Sequence, residues 1–437
     1  MTNRWPAIAF LEIVLASPPI FTACSVAQAA TLTALHSFSG SPDGDLPSGG
    51  VVFGPGGVLY GTTMYGGMDC GGGCFRSGTV FSLAPPASPG GAWSESVYAF
   101  PFQIAGMTPQ GVTMGGGGVL YGTTAFGGDC AGIASGGTVF ELRPPSAGAS
   151  WEESVLLSVC PGSPVASGPI NSPIVGAGGV LYASSIGGAI FSLSPPAVGG
   201  RQWAESVLYT FTGTDGYEPN AVAIGASGAL YGTTLHSGAT SGPNGTVYSL
   251  TPPGTPGGSW TLTTLHNFTG SDGDGANPQA GVLIGSGGEL YGTTTFGGTT
   301  AGLCTSSFTD GCGTVYSLIP PGSTGEGKYT ILYRFTGPGD GSGPGGGLVG
   351  FHGKLFGNTL SGGTGSCSFA GCGTIFSLTP PASAGGAWTE TVLYSFTGGS
   401  DGASPSGSLA VDGNGVLYGT TQEGGASGYG TVFSLTP

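Results

Sequence analysis

The chain has 437 residues, with only 7 Lys and Arg against 22 Asp and Glu, so its formal net charge is −15. Nucleic-acid binding needs cations that neutralise phosphates, and this composition therefore excludes a nucleic-acid partner and disfavours an anionic membrane. Gly (93) and Pro (33) together exceed a quarter of the chain, which indicates disorder unless the glycines recur at fixed positions.

The first residues differ from all that follow. Arg4, an apolar stretch from Ala7 to Leu15 and the small residues around Gln28 predict a signal peptide over residues 1–29, and hence export. The phrase ending at Cys24 resembles a degenerate lipobox, which leaves lipid attachment at Cys24 as an alternative. No other apolar stretch is long enough to span a membrane, so we expect no membrane span.

Two short phrases alternate through the rest of the chain. Leu-Tyr-Gly-Thr-Thr, or a near variant, is followed each time by Gly-Thr-Val-Phe-Ser-Leu, or a near variant. The first phrase occurs seven times, at spacings of 61, 61, 49, 60, 65 and 62 residues, centred on Tyr60, Tyr121, Tyr182, Tyr231, Tyr291, Phe356 and Tyr418. A regular period of this size indicates repeated units that must stack on their neighbours to bury an apolar face.

Each repeat predicts four short strands. In the fourth copy they are Asn220 to Gly225, Ala229 to Thr234, Gly245 to Leu250 and Trp260 to Phe268, separated by Gly, Ser and Pro turns. Seven antiparallel four-stranded units predict an all-β, seven-bladed β-propeller over residues 30–437, as a single domain.

The two ends of the chain predict how the ring closes. The sequence ends on a third-strand phrase, Gly430 to Leu435, so the last blade lacks its fourth strand. Residues Thr31 to Phe38 match the fourth-strand phrase of the fourth copy. The N-terminal strand is therefore predicted to pair into the last blade, which removes an exposed sheet edge.

These phrases resemble the tandem repeat of bacterial choice-of-anchor proteins, the GloVer-repeat group. The resemblance covers essentially all of the chain after residue 29 and implies a secreted or surface propeller-like protein with no established activity. The chain stops at Pro437 without a C-terminal anchor segment, so we expect a soluble secreted or periplasmic form.

Acidic residues recur in the loops that join one repeat to the next. Five loops carry Asp-Gly, and two of them have a second carboxylate two positions on: Asp43, Asp45, Asp215, Asp272, Asp274, Asp340 and Asp401. Asp-Gly is a favoured turn dipeptide, so the turn interpretation leads. A calcium or other cation site and a ligand-orienting role are the alternatives, but two loops lack Asp, which argues against a symmetric metal ring.

Eight cysteines follow the predicted signal peptide. Local spacing predicts three disulfides, Cys70 with Cys74, Cys304 with Cys312 and Cys367 with Cys372, and the remaining Cys130 and Cys160 form a candidate fourth pair. Zinc is the weaker interpretation, because His is scarce and no zinc-type Cys-x-x-Cys pair occurs. We expect no metal.

Aromatic side chains recur at the start of the fourth strands. They are Trp93, Trp151, Trp203, Trp260 and Trp388, with Tyr329 two positions later in its own strand. A ring of aromatics could stack on sugars, but packing against the neighbouring strand is the leading interpretation. Glu95, Glu153 and Glu205 recur two residues after Trp, and His36 and His266 share one repeat position, so both patterns indicate repeat structure rather than catalysis.

The sequence therefore predicts a secreted, non-catalytic binding or interaction scaffold for a protein or a neutral glycan. We expect a monomer without a cofactor. The alternative is an extracellular carbohydrate-active enzyme, a lyase or hydrolase, that uses the loop face of the propeller. Unequal carboxylates in one deep pocket would favour the enzyme, whereas similar shallow pockets around the ring would favour the binder.

Overall fold

The structure, a computed structural model, describes most of the chain after the predicted signal peptide. The described residues are 30–67, 77–88, 90–101, 106–130, 133–134, 136–145, 150–165, 167–197, 202–236, 244–255, 257–271, 273–298, 304, 311–321, 327–367, 371–383 and 385–437. Residues 1–29, including Cys24, and the residues Cys70, Cys74 and Asp272 lie outside this set. None of the described residues forms a helix with the length and apolar character needed to cross a bilayer.

The fold is a seven-bladed β-propeller of four-stranded antiparallel sheets. The strands of the first three blades are Asp45–Phe53, Leu59–Tyr65, Thr79–Ala84 and Ser94–Ala99; Met107–Met114, Leu120–Phe126, Thr138–Arg143 and Glu152–Ser158; and Pro169–Val175, Leu181–Ser185, Ala189–Ser194 and Ala204–Thr210. A hairpin of Asp129–Cys130 with Ile133–Ala134 extends blade 2.

The remaining four blades repeat this order of strands. Blade 4 comprises Tyr217–Pro219 with Ala223–Ile224, Leu230–His236, Thr246–Thr251 and Thr261–Asn267, and blade 5 comprises Gly275–Ala276, Leu283–Ile284, Leu290–Thr294, Phe296–Gly297, Thr314–Ile319 and Lys328–Arg334. Blade 6 comprises Val349–Phe351, Lys354–Thr359, Thr374–Thr379 and Thr389–Ser395, and blade 7 comprises Ala403–Val411, Leu417–Glu423, Thr431–Thr436 and Thr31–Ser37.

The innermost strand of blade 4 differs from its prediction. The sequence predicts one strand from Asn220 to Gly225, whereas the structure has Tyr217–Pro219 and Ala223–Ile224 as separate segments on the same partner. Between the two segments the backbone N–H of Asn220 still donates to the carbonyl of Thr233 in the second strand, at 2.8 Å. The side-chain amide of Asn220 donates to the carbonyl of Pro278 in the next blade, 2.6 Å away. Asn220 therefore adds a contact between blades where the first strand is interrupted.

The N-terminal strand closes the ring as predicted. Thr31–Ser37 pairs antiparallel with Thr431–Thr436, from Thr31 opposite Thr436 to Ser37 opposite Thr431. Phe38, directly after this strand, is fully buried and packs edge-on against Phe81 of blade 1 with ring centroids 5.2 Å apart. The outer strand of blade 7 thus also contributes to the boundary with blade 1.

The apolar core lies between the blades. One cluster of buried side chains occupies each of the seven boundaries, and each cluster draws its residues from two neighbouring blades. The third-strand leucines, among them Leu250 and Leu318, are essentially inaccessible to solvent. This confirms that a single blade cannot bury its own apolar face and that stacking provides the core.

The repeated Gly-Thr-Thr phrase has a structural role. Its second Thr hydrogen-bonds the first Thr of the third strand inside the blade, as Thr63 does with Thr79 at 2.7 Å. Its first Thr reaches a carbonyl of a neighbouring blade in several copies, as Thr233 does with Ala280 at 2.8 Å. The Gly lies against the aromatic ring of the third strand, so that a Cβ at Gly122 would come 2.3 Å from Phe140. Six blades have Gly at this position, which leaves room for that ring, and blade 3 has the smallest side chain, Ala183, opposite Phe191.

An antiparallel meander alternates the ends of its strands, so the propeller has two distinct faces. The turn face carries the turns between the first and second strands and between the third and fourth strands, such as residues 54–58 and 85–93 of blade 1. The loop face carries the connections between the second and third strands and between blades, and hence the acidic residues and the cysteines. The second-strand tyrosines and the tryptophans lie toward the turn face.

Candidate functional site

The acidic residues of the loop face brace their own loops. The Asp215 carboxylate accepts hydrogen bonds from the backbone N–H and the hydroxyl of Thr212, at 2.8 and 3.0 Å, and from the Tyr209 hydroxyl of the preceding strand. Burial alone would raise the pKa of Asp215, but these hydrogen bonds outweigh it and lower that pKa below its usual value. The same arrangement recurs at Asp43, Asp274, Asp340 and Asp401.

This arrangement favours the turn interpretation of the acidic loops. In the loop that carries two carboxylates after blade 4, the bracing residue is Asp274, and Asp272 lies outside the described residues. Asp45 differs from Asp43, because it begins the first strand of blade 1, opposite Tyr65. The six candidate aspartates that the structure describes therefore do not converge on one cavity but occupy separate positions around the ring.

A glutamate on the fourth strand faces the preceding blade at several boundaries. Glu95, Glu153, Glu205 and Glu390 all pair with a third-strand leucine and each has a buried carboxylate oxygen. Burial raises the pKa of Glu153 to about 7, an effect that a hydrogen bond from Tyr98 partly offsets. Burial and the nearby Asp340 raise the pKa of Glu390 to about 7 as well. Glu390 was not among the glutamates that the sequence pattern singled out, although it too stands two residues after a Trp.

At the boundary between blades 7 and 1, a histidine, an aspartate and a glutamate lie close together. His36 Nε2 lies 3.2 Å from an oxygen of Asp43 and 3.2 Å from an oxygen of Glu95, where blade 7 meets blade 1. Sequence analysis treated these residues as separate repeat features. The signal that could have joined them is the neighbouring position of the first and last blades in a closed ring.

The tryptophans connect neighbouring blades on the turn face. Each packs edge-on against the second-strand tyrosine of the preceding blade, with ring centroids 6.0 to 6.5 Å apart: Trp93 on Tyr418, Trp151 on Tyr60, Trp203 on Tyr121, Trp260 on Tyr182 and Trp388 on Tyr291. Tyr329 does not join this series. It occupies the position of the glutamates and stacks on His266 with ring centroids 3.7 Å apart.

Three of these Tyr–Trp boundaries carry similar cavities, which we call the Tyr–Trp grooves. They have volumes of about 390, 370 and 460 Å³ and contain Tyr60, Tyr291 and Tyr418 respectively. Trp388 and Trp93 line the second and third. The second also contains Ile319, an apolar side chain that is 54% exposed. The grooves thus combine an aromatic wall with turns of two blades.

A central shaft of about 390 Å³ follows the propeller axis. Its walls consist of small and neutral residues in or beside the first strands, such as Gln110, Gln279 and Ser406, and none of the described residues that line it is charged. The strands approach closely here, since a Cβ at Gly49 would lie 2.7 Å from the Cα of Gly111 in the next blade. The shaft therefore contains no acid, base or charged metal ligand.

Three cysteine pairs lie at disulfide distance in the loops. Cys130 pairs with Cys160, Cys304 with Cys312 and Cys367 with Cys372, with Cα separations of 5.5, 5.2 and 5.1 Å. Cys70 and Cys74, the remaining predicted pair, lie outside the described residues. Such bonds fit an extracellular or otherwise oxidising compartment.

The chain matches the family model of the Gloeobacter/Verrucomicrobia repeat over residues 169–303 and 297–437. The two matches together span more than half of the sequence, and the chain belongs to this family. They cover the repeat and do not show the choice-of-anchor label of the resemblance. No curated protein sequence matches the chain.

Two solved structures with TM-scores above 0.5 support the fold, and a third is less similar. One is PorZ of Porphyromonas gingivalis, an essential surface component of the type-IX secretion system. It is 14% identical with a TM-score of 0.53, and the match covers 91% of this chain and 47% of the PorZ chain. A chain of a mitotic checkpoint complex is 13% identical with a TM-score of 0.51, covering 98% of both chains. The PQQ domain of a pyranose dehydrogenase from Coprinopsis cinerea is 14% identical with a TM-score of 0.41, and the match covers 77% of this chain and 94% of that one. This chain spans about half of PorZ, and these likenesses concern the fold alone.

Proposed function

We propose that this member of the Gloeobacter/Verrucomicrobia repeat family is an exported, non-catalytic binding protein that holds neutral glycans in its Tyr–Trp grooves. The observation that carries the proposal is the repetition of one groove at three boundaries, with similar volumes and an aromatic wall in each. A pyranose ring presents an apolar C–H face that packs on aromatic side chains, while its hydroxyls hydrogen-bond to neighbouring polar groups. Several equal sites on one rigid ring suit a repeating polymer, because linked sites raise the effective local concentration.

The charge of the protein supports a neutral ligand. Arg143 is the one cationic residue that lines the three grooves, and its guanidinium already contacts Glu141 of the same strand. The chain as a whole carries a net charge of −15, which repels acidic polymers. Neutral polysaccharides avoid this repulsion. The three disulfide pairs support export, because such bonds persist in oxidising compartments.

The distribution of carboxylates supports binding over hydrolysis. Each Tyr–Trp groove is lined by one acidic residue, Glu152, Glu289 or Asp412, and the central shaft by none. Hydrolysis of a glycosidic bond generally needs two carboxylates on either side of the scissile bond. Asp43 and Glu95, which do lie close together, line none of these four cavities.

The proposal is tested by calorimetric titration with neutral oligosaccharides of the cello-, xylo-, manno- and chito- series. We expect one series to bind at several equivalent sites per chain. Gly413→Gln places a side chain in the Tyr418 groove, where a Cβ meets no atom within 4 Å, and should reduce the number of sites by one. Gly254→Gln, in a turn with equally open space and outside the described cavities, is the matched control.

Two results would contradict the proposal. Absence of binding across the four series would leave a protein ligand as the surviving interpretation of the scaffold. Shortened oligosaccharides in the same mixtures, detected by mass spectrometry, would instead favour the carbohydrate-active enzyme.

A further inference from the structure

A compact polar cluster lies where the N-terminal strand completes the ring. His36 belongs to the strand Thr31–Ser37, Asp43 to the following loop, and Glu95 to the outer strand of blade 1. One ligand atom from each side chain lies within 4.8 Å of the other two. The side chains of His36, Asp43 and Glu95 are 21%, 13% and 21% exposed, so the cluster is partly buried but open to solvent on one side.

The cluster has more acceptors than donors. His36 Nε2 lies 3.2 and 3.3 Å from the two oxygens of Asp43 and 3.2 Å from Oε1 of Glu95. A neutral imidazole carries one N–H, which can point at only one of these oxygens. Oε1 of Glu95 is buried and has no hydrogen-bond partner, which is a costly arrangement for a carboxylate.

We propose that His36, Asp43 and Glu95 bind a divalent transition-metal ion, with Zn²⁺ as the best match. A cation satisfies the nitrogen and both carboxylates at once. Zn²⁺ takes imidazole nitrogen and carboxylate oxygen at about 2.0–2.2 Å in a tetrahedral arrangement, which places ligand atoms about 3.3–3.5 Å apart. The separations of 3.2 Å from His36 Nε2 to each carboxylate are close to this spacing. Solvent supplies the fourth ligand.

The surroundings of Asp43 fit a metal ligand. Its Oδ2 accepts hydrogen bonds from the backbone N–H and the hydroxyl of Ser39, at 2.8 and 3.0 Å. These bonds fix the carboxylate, whose two oxygens lie 3.2 and 3.3 Å from His36 Nε2. Metal-binding carboxylates are commonly oriented by such outer hydrogen bonds, which define the geometry of the site before the ion binds.

Other boundaries serve as internal comparisons. At the boundary between blades 4 and 5, His266 Nε2 lies 3.3 Å from Asp274, as His36 does from Asp43. The repeat position of Glu95 is occupied there by Tyr329, which stacks on the imidazole of His266. After blade 5, Glu390 is present but Tyr333 replaces the histidine. Among the described residues, the boundary between blades 7 and 1 alone combines the three ligand types.

The three ligands come from two neighbouring blades. His36 lies on the strand that closes the ring, whereas Glu95 belongs to the neighbouring blade, so a bound ion links the two. The N-terminal strand would then be held by its hydrogen bonds, by Phe38 and by a metal clamp. Occupancy would stabilise the folded protein alone, since the unfolded chain lacks the site.

The test is calorimetric titration of the untagged, chelator-treated protein with Zn²⁺ at neutral pH, together with thermal melting. We expect one Zn²⁺ per chain and a rise in Tm. Glu95→Leu should weaken binding at least about tenfold and abolish the rise in Tm. Leu32 and Leu262 occupy the equivalent position in their own blades, each opposite the third-strand leucine that corresponds to the partner of Glu95. The fold therefore accommodates the substitution.

His266→Gln is the matched control, because it removes the equivalent histidine at the boundary with Tyr329 and should leave Zn²⁺ binding unchanged. The isosteric Glu95→Gln tests the same ligand if Glu95→Leu lowers the yield of folded protein. Absence of saturable binding, Zn²⁺ affinity equal to that of the parent protein in both Glu95 variants, or loss of binding in His266→Gln would each overturn the proposal.

Discussion

Tyr98 donates a hydrogen bond of 2.7 Å to Glu153 across the boundary between blades 1 and 2. At five other boundaries the equivalent Tyr or His contacts an aspartate of the loop that follows it. The loop after blade 1 lacks that aspartate, and the glutamate of the next blade takes its place. A carboxylate is thus retained opposite the aromatic side chain, although it comes from another part of the chain.

This relationship predicts an unusual dependence of stability on pH. Burial raises the pKa of Glu153 from 4.5 to about 7 in the folded protein. Between these values the folded state holds a proton that the unfolded state releases, so this residue makes the free energy of unfolding fall as pH rises through that window. Chemical denaturation of Glu153→Gln should show a smaller fall than the parent protein between about pH 4.5 and 7. Glu152→Gln, at the exposed neighbouring position, is the control, and equal curves for both variants would contradict the prediction.

Two buried tyrosines predict stabilising substitutions. Tyr248 and Tyr316 are fully buried and their hydroxyl groups have no hydrogen-bond partner. Their position is filled by Phe in the other five blades: Phe81, Phe140, Phe191, Phe376 and Phe433. Tyr248→Phe removes an unpaired polar group and should increase the free energy of unfolding by about 1 kcal/mol or more. Tyr209→Phe, which deletes a hydroxyl bonded to Asp215, should have the opposite effect in the same urea titration.

Ring closure predicts a strong effect of a short truncation. Removing residues 31–39 from the mature chain deletes the strand that pairs with Thr431–Thr436 and the buried Phe38. An edge of blade 7 and part of its boundary with blade 1 would become exposed, so Tm should fall sharply. A chain starting at residue 30 is the control, and equal melting of the two forms would show that closure does not depend on this strand.

The acidic loop after blade 4 predicts no response to calcium. The Asp274 carboxylate already accepts hydrogen bonds from Thr269, from His266 and from the backbone N–H of Gly275. A calcium site needs six to eight oxygen ligands, which this loop does not assemble among the described residues. Excess Ca²⁺ should therefore leave Tm unchanged. A rise in Tm that disappears in Asp272→Ala would show instead that the loop binds the cation.

The sequence by itself determined the fold. The spacing of the Leu-Tyr-Gly-Thr-Thr phrases indicated seven units, and the match between Thr31–Phe38 and other fourth strands indicated the closing strand, because repeats carry their structural role in residue identity. The break in the first strand of blade 4 was not predicted, and neither was the contact of the Asn220 side chain with the neighbouring blade. Periodicity reports pairing within a blade and says little about contacts between blades.

The candidate sites depend on those contacts between blades. A Tyr–Trp groove combines residues about 90 or more positions apart, such as Tyr291 with Trp388, and the His36 cluster combines a loop of blade 7 with a strand of blade 1. Sequence analysis could identify the aromatic and acidic positions but not their partners across a boundary. Tertiary structure decided which carboxylates are satisfied by their own loops and which keep a buried oxygen without a donor, because both depend on how the twisted blades meet. The second group comprises Glu95, Glu153, Glu205 and Glu390.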